Sequence, residues 1–204
     1  MTPPPAMKPR IVKLGGSLLD LTDLADRVRR WLATQTSRPN VFVVGGGAWA
    51  NAVRSSDRLH KLDELAAHWL CVRAMTITAE LAATLLDWPI VNDLSNLMHE
   101  APSCCVFDGY PFLKEVEPTL PGERLPHGWH VTSDSIAARV AEILSAHELV
   151  LLKSTLPPGP LDLATAAAQD LVDPWFPKAA RSLAHIRAVN LRAADFPEIF
   201  LSDP

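Results

Sequence analysis

The stretch Ile11–Asp20, IVKLGGSLLD, sets a lysine inside an apolar, strand-like run and then breaks the run with two glycines and a serine. A strand facing a core alternates apolar side chains, so the cation at Lys13 needs a reason to be there. The turn that follows supplies one. Gly15, Gly16 and Ser17 leave backbone N–H groups uncovered beside the ammonium, and fixed donors next to a positive charge suit a phosphate. Further along, the strand-like Val41–Val44 runs into Gly45, Gly46 and Gly47, and helical spacing resumes through Trp49, Ala52 and Val53. Two strand-glycine-helix units in the first 60 residues predict a parallel sheet.

The bulk properties limit what these turns can serve. A chain of 204 residues with 48% hydrophobic content has enough apolar surface for one large domain. We expect a flexible leader over 1–10 and a single domain over 11–204. The formal charge is −4 and no lysine or arginine face forms, which argues against a nucleic-acid partner. No apolar run approaches the roughly 20 residues that span a bilayer, and MTPPPAMKPR lacks the apolar centre of a secretion signal. The expected setting is cytoplasmic, without a membrane partner. Cys71, Cys104 and Cys105 make neither a disulfide framework nor paired metal-ligand spacing, and are read as reduced, mostly core residues.

The periodicity between and beyond the turns predicts an amphipathic helix over Leu21–Gln35, with Leu21, Leu24, Val28, Trp31 and Leu32 near one face. A long helix over Asp63–Leu86 follows, with Leu65, Trp69, Val72 and Leu81 inward. PIVNDL, SCCVFDG and FLKEVE read as short strands or edges, and Glu117–Trp129 as a loop. Thr132, Ser133 and Asp134 can each cap a helix running to His147, with Ile136, Val140, Ile143 and Leu144 toward the core. Glu148–Ser154 reads as a buried strand. After it come a proline-interrupted connection, a short helix and a closing strand over Arg187–Leu191.

One Gly-Gly-Ser turn is what any tight turn would choose, but two such turns together with Lys13 favour an anion site. The sequence has no P-loop spacing, and GGGAWA lacks the dinucleotide fingerprint. Arg54 lies about two helical turns past the second glycine run. It either grips a phosphate on an acceptor or is an ordinary surface arginine, paired at most with Asp57 at i+3. His68, on the long helix, is either a site residue or a structural histidine. Lys153 leaves its strand either toward a ligand or toward solvent. His127 and His130 flank Trp129 without a second ligand cluster, so no protein metal site is expected.

The segments VKLGGSLL, VFVVGGG and VTSDSIAARVAEIL occur in the order and spacing of the amino acid kinase superfamily, which the chain resembles from Ile11 to about Val189. Within it, GGGAWANAVR, LPHGWHVTSDSIAA and VDPWFPKAA are most similar to the short aspartokinase-like kinases of methanofuran and methylofuran biosynthesis, which act on an aminomethylfuran methyl phosphate. The resemblance implies a three-layer α/β/α sandwich with a mostly parallel central sheet. It implies ATP with Mg2+, a phosphate-bearing small-molecule acceptor, and a homo-oligomer. It places Lys13 at the transferring phosphoryl group and Asp134 as the acid that orients the active-site lysine. Gly15, Gly16, Ser17, Thr132, Ser133 and Lys153 fall on the nucleotide side, and Gly45, Gly46, Gly47, Arg54 and His68 on the acceptor side. Two departures stand out. KSTLPPGPL replaces a Lys-Val-Asp-Gly-Val-Tyr-like turn, so an altered nucleotide pocket is expected, and the chain ends without the Gly-Thr ending of larger members. A carboxylate kinase of the acetylglutamate or aspartate type and a non-catalytic nucleotide-binding scaffold remain open as alternatives.

Overall fold

The computed structural model describes residues 7–100 and 102–202, without the side chains of 98–100. Most of the expected leader, residues 1–6, lies outside the described residues, and Arg10 already opens the first strand.

Among the described residues the strands are β1 (Arg10–Leu14), β2 (Asn40–Val44), β3 (Ile90–Val91), β4 (Cys104–Phe107), β5 (Glu148–Lys153), β6 (Leu161–Asp162), β7 (Ile186–Asn190) and β8 (Glu198–Ser202). They form one eight-stranded sheet in the order β3-β4-β2-β1-β5-β7-β8-β6. Every pairing is parallel except β7 with β8. The helices are α1 (Leu24–Ala33), α2 (Gly47–His60), α3 (Glu64–Leu86), α4 (Leu94–Glu100), the turn α5 (Gly109–Pro111), α6 (Ser133–Ile143), α7 (Leu163–Ala168) and α8 (Phe176–Ala179).

β1 and β2 are buried along their whole length, because helices cover both faces of a parallel sheet. Alternation along β1 then divides the core in two. Ile11 joins Ile136 and Val140 of α6, and Leu144 just after it, on one face. Val12 and Leu14 join Leu24, Val28 and Trp31 of α1 and Ala79, Ala82 and Leu86 of α3 on the other. These are the three expected layers. At the far end of the strands from the glycine turns, Arg10 Nε donates to Glu148 Oε1 at 2.6 Å and Arg187 Nε to Glu148 Oε2 at 2.9 Å, which ties β1, β5 and β7 together.

Several local expectations are corrected. Phe112–Val116 is a π-helical turn, not a strand: Asp108 caps the preceding turn through Tyr110 N at 3.1 Å, and Pro111 continues it in helical conformation. Leu65 is 47% exposed, in a first turn of α3 where Glu64 and Ala66 are exposed as well. Leu21 precedes α1 and does not belong to it. Arg187–Leu191 is followed by β8, which returns antiparallel. By length and composition α3 is long and apolar enough to cross a membrane, contrary to the expectation from apolar runs. Its buried side chains nevertheless pack into both core clusters, as in the core helix of a domain.

Candidate active site

The alternation that buries Ile11 also fixes Lys13 on the same face of β1. Lys13 lies level with Leu151 of β5, so Lys153, two residues further on, points the same way. The first turn of α6 crosses this face and carries Asp134. Lys13 Nζ lies 3.0 Å from Asp134 Oδ1, and Lys153 Nζ donates to Oδ1 at 2.8 Å and Oδ2 at 3.0 Å. Lys13 is 6% and Asp134 5% exposed. Burial pushes the Asp134 carboxyl up, but the two ammonium groups outweigh it and hold the carboxyl below its usual range. Lys153 is brought down to about 8 by burial and by the Lys13 charge, against the support of Asp134. Two cations around one carboxylate leave a surplus positive charge in a nearly dry site, and such a charge is costly until an anion joins it.

The two glycine turns meet beside this cluster. A Cβ on Gly16 would lie 2.3 Å from Gly47 N, and Gly47 has φ of 53°, so neither turn tolerates a side chain at the contact. Not every amide there is free. Gly15 N donates to Leu152 O at 2.9 Å and Gly45 N to Leu14 O at 2.9 Å, which corrects the expectation that Gly15 offers its N–H to a ligand. Gly16 and Ser17, and Gly46 and Gly47 at the start of α2, have N–H groups with no internal acceptor among the described residues. Ser17 Oγ donates to Ser154 Oγ at 3.3 Å, so the changed turn after Lys153 lies against the first glycine turn.

A cavity of about 270 Å³ opens over both glycine turns, with Gly16 and Ser17 of the first and Gly45, Gly46 and Gly47 of the second in its wall. Arg54 of α2 and His68 of α3 line it together with Val72, Met75, Trp129 and Ile136, and Arg54 is the one charged side chain among the described residues of its wall. The Arg54 guanidinium stacks 5.4 Å from the Trp129 ring centre and donates to Asn51 Oδ1 at 3.1 Å, so its partner is Asn51 and not Asp57. His68 is buried, and burial together with the nearby His127 lowers its pKa. Its Nδ1 accepts from Gly128 N at 3.2 Å, which assigns the hydrogen of the neutral ring to Nε2. Thr132 and Ser133, expected on the nucleotide side, line this same cavity with the acceptor group.

The expected cap is also reassigned. Asp134 gives its oxygens to the lysines, the Thr132 side chain makes no cap bond, and the start of α6 is held by Asp173. VDPW falls in the proline-interrupted stretch expected after the Glu148–Ser154 strand, and nothing local to it announces a partner in α6. Among the described residues no group of three His, Cys, Asp or Glu is arranged to hold a metal ion.

No family model matches the chain. The (5-(aminomethyl)furan-3-yl)methyl phosphate kinase of Methanocaldococcus jannaschii is 26% identical over 142 residues, which is 69% of this chain and 63% of that protein, less than two thirds of its length. UMP kinase from Ureaplasma parvum superposes with a TM-score of 0.65 at 14% identity, covering 96% of this chain and 99% of that one. Uridylate kinase from Archaeoglobus fulgidus gives 0.66 at 16%, covering 96% and 100%. Aspartate kinase from Synechocystis gives 0.64 at 15%, covering 96% of this chain and 40% of that one. The sequence relative and these solved neighbours are all kinases of the amino acid kinase superfamily, and the fold of this chain is theirs.

Proposed function

We propose that the chain is an ATP-dependent phosphotransferase that converts a small phosphomonoester into a diphosphate. The observation that carries this is the surplus charge of the Lys13, Asp134 and Lys153 cluster at the meeting point of the two glycine turns. A phosphoryl group in transit spreads negative charge over its equatorial oxygens, and its transfer is catalysed by positioning and charge stabilisation. Lys13 and Lys153 act on that group while Asp134 orients both. The Gly16 and Ser17 amides take the phosphates of ATP. Magnesium would enter with the nucleotide and neutralise phosphate charge there, since the carboxylate nearest the lysines, Asp134, is already committed to them.

The acceptor occupies the 270 Å³ cavity. Its phosphate meets Arg54 and the Gly46 and Gly47 amides at the start of α2, and its apolar body lies against Val72, Met75 and Ile136. An acceptor phosphate is already an anionic nucleophile, so alignment replaces a general base. Its oxygen bonds to the γ-phosphorus, the bond to the bridging oxygen breaks, and ADP leaves with the electron pair. The aminomethylfuran methyl phosphate in the relative's name is the first acceptor to try, and it would place the reaction in methanofuran or methylofuran cofactor biosynthesis. The same reading has the chain working as a homo-oligomer, which sedimentation velocity checks.

The test is ADP release from purified protein with Mg-ATP and that phosphate, its dephosphorylated alcohol, or N-acetylglutamate and aspartate. Diphosphate formation from the phosphate alone supports the proposal. Turnover of a carboxylate alone transfers the assignment to a carboxylate kinase, and ATP binding without turnover of any acceptor transfers it to a nucleotide-binding scaffold.

A further inference from the structure

Five hydrogen bonds converge on a carboxylate that the proposed reaction does not touch. Asp173 lies between α7 and α8, outside any regular element, and is 6% exposed. Its Oδ2 accepts from Thr132 N at 3.0 Å, Thr132 Oγ1 at 2.9 Å and Ser135 N at 3.0 Å. Its Oδ1 accepts from Ser135 Oγ at 2.5 Å and Trp175 N at 3.2 Å. Helix starts leave N–H groups without partners, and their usual cap is the local Ser, Thr or Asp side chain. Here the cap comes from 38 residues further along the chain.

The two α6-side residues held by Asp173 bracket Ser133 of the cavity wall and Asp134 of the lysine cluster. Thr132 and Ser135 flank Ser133 and Asp134, so the clamp fixes both ends of the turn that carries Asp134 to the lysines of β1 and β5. Burial pushes the Asp173 carboxyl up, the Ser135 hydrogen bond opposes this, and the Asp134 charge adds to it. Two carboxylates are therefore kept close in a buried region, although like charges repel. That cost is unnecessary for capping alone, since Thr132 stands at the cap position with a hydroxyl of its own.

We infer that Asp173 is a positioning residue, which clamps the first turn of α6 so that Asp134 stays between Lys13 and Lys153 and Thr132 and Ser133 keep the cavity wall. Its effect on turnover rests on the kinase reading, whereas the clamp itself can be tested without turnover. Lys153 is faced by Lys13 from β1 and by Asp134 from α6, so a displaced Asp134 withdraws the one group that favours its ammonium form.

The experiment follows the Lys153 side-chain NMR signal against pH in the full chain, with a thermal melt of each variant. Asp173→Asn keeps the shape but replaces one acceptor oxygen by a donor. Val140→Ala is the control, because Val140 is buried on α6 away from its start. Asp173→Asn is expected to lower the Lys153 midpoint by about half a pH unit or more and to cut kcat about tenfold, with the KM for ATP unchanged. Val140→Ala is expected to lower the melting temperature with the midpoint and kcat in place. A stationary midpoint in Asp173→Asn, or the same movement in Val140→Ala, overturns the inference. If Asp173→Asn does not fold, Ser135→Ala removes one donor to the clamp, and a midpoint that fails to move downward then overturns it equally. A wild-type protein that turns over no acceptor defeats the kinase reading and leaves the midpoint comparison to decide the clamp.

Discussion

Lys153 Nζ donates to both carboxylate oxygens of Asp134, at 2.8 and 3.0 Å, yet the lysine still sits at about 8 because burial and Lys13 oppose it. The ammonium form is the one that can stabilise a phosphoryl group. The kcat/KM for ATP, which reports the free enzyme, is therefore expected to fall about tenfold per pH unit above about 8. Bound phosphates favour the ammonium, so the same limb in kcat lies at higher pH. Matched profiles of the two parameters check both statements, and a flat kcat/KM through pH 9.5 would take Lys153 out of the mechanism.

Lys13→Met removes the surplus charge and leaves Asp134 and Lys153 as a balanced pair. Turnover is expected to drop by about two to three orders of magnitude, while the melting temperature holds or rises. ADP release and calorimetry on one preparation separate these effects. A lower melting temperature with full turnover would make Lys13 a structural cation.

Asp134→Asn does the reverse, leaving two buried ammonium groups without a carboxylate. A loss of about 3 to 5 kcal/mol in stability is expected together with the loss of activity. Read from its place at a helix start, Asp134 would cap α6 and its amide would do nearly as well; denaturant unfolding decides between the two.

Arg54→Lys keeps a charge at the cavity but loses the planar fork and its stacking on Trp129. The acceptor KM is expected to rise about tenfold, with the KM for ATP unmoved. Initial-rate kinetics with each substrate varied in turn are sufficient, and an effect confined to ATP would remove Arg54 from the acceptor site.

Gly47→Ala meets two obstacles, a φ of 53° and a Cβ 2.7 Å from Gly16 O. The left-handed conformation alone costs about 1 to 2 kcal/mol, and the contact forces the turns apart. Lower stability and impaired turnover together are expected. A melt and ADP release that match the wild type would show that the turns need not touch.

What the sequence made readable was local. Lys13 before two glycines, and the apolar runs of β1 and β2, are short-range patterns, and they led to a parallel sheet with glycine turns at one end. The rest depends on neighbours that only the assembled sheet brings together. Gly15 loses its free amide because β5 lies beside β1, placing Leu152 O 2.9 Å away. Lys153 was ambiguous as a lysine ending a strand, and its contact with Asp134 shows only when register turns it to the same face as Lys13. The Asp173 clamp was unreadable because the residues it holds at the start of α6 lie 38 to 41 residues back. FLKEVE has a strand's composition, but the Asp108 cap and Pro111 before it set a helical course.

The contact of Gly16 with Gly47 joins the two glycine turns into one floor, and under the proposed function that has a thermodynamic corollary. Backbone touching backbone leaves no soft side chain to absorb a displacement, so settling one turn around its ligand restricts the other. Occupancy of either side should then raise affinity for the second, and linkage requires the two enhancements to be equal. The enzyme would therefore show heterotropic synergy between nucleotide and acceptor without any moving domain, visible in calorimetry as one coupling factor reached from both orders of addition.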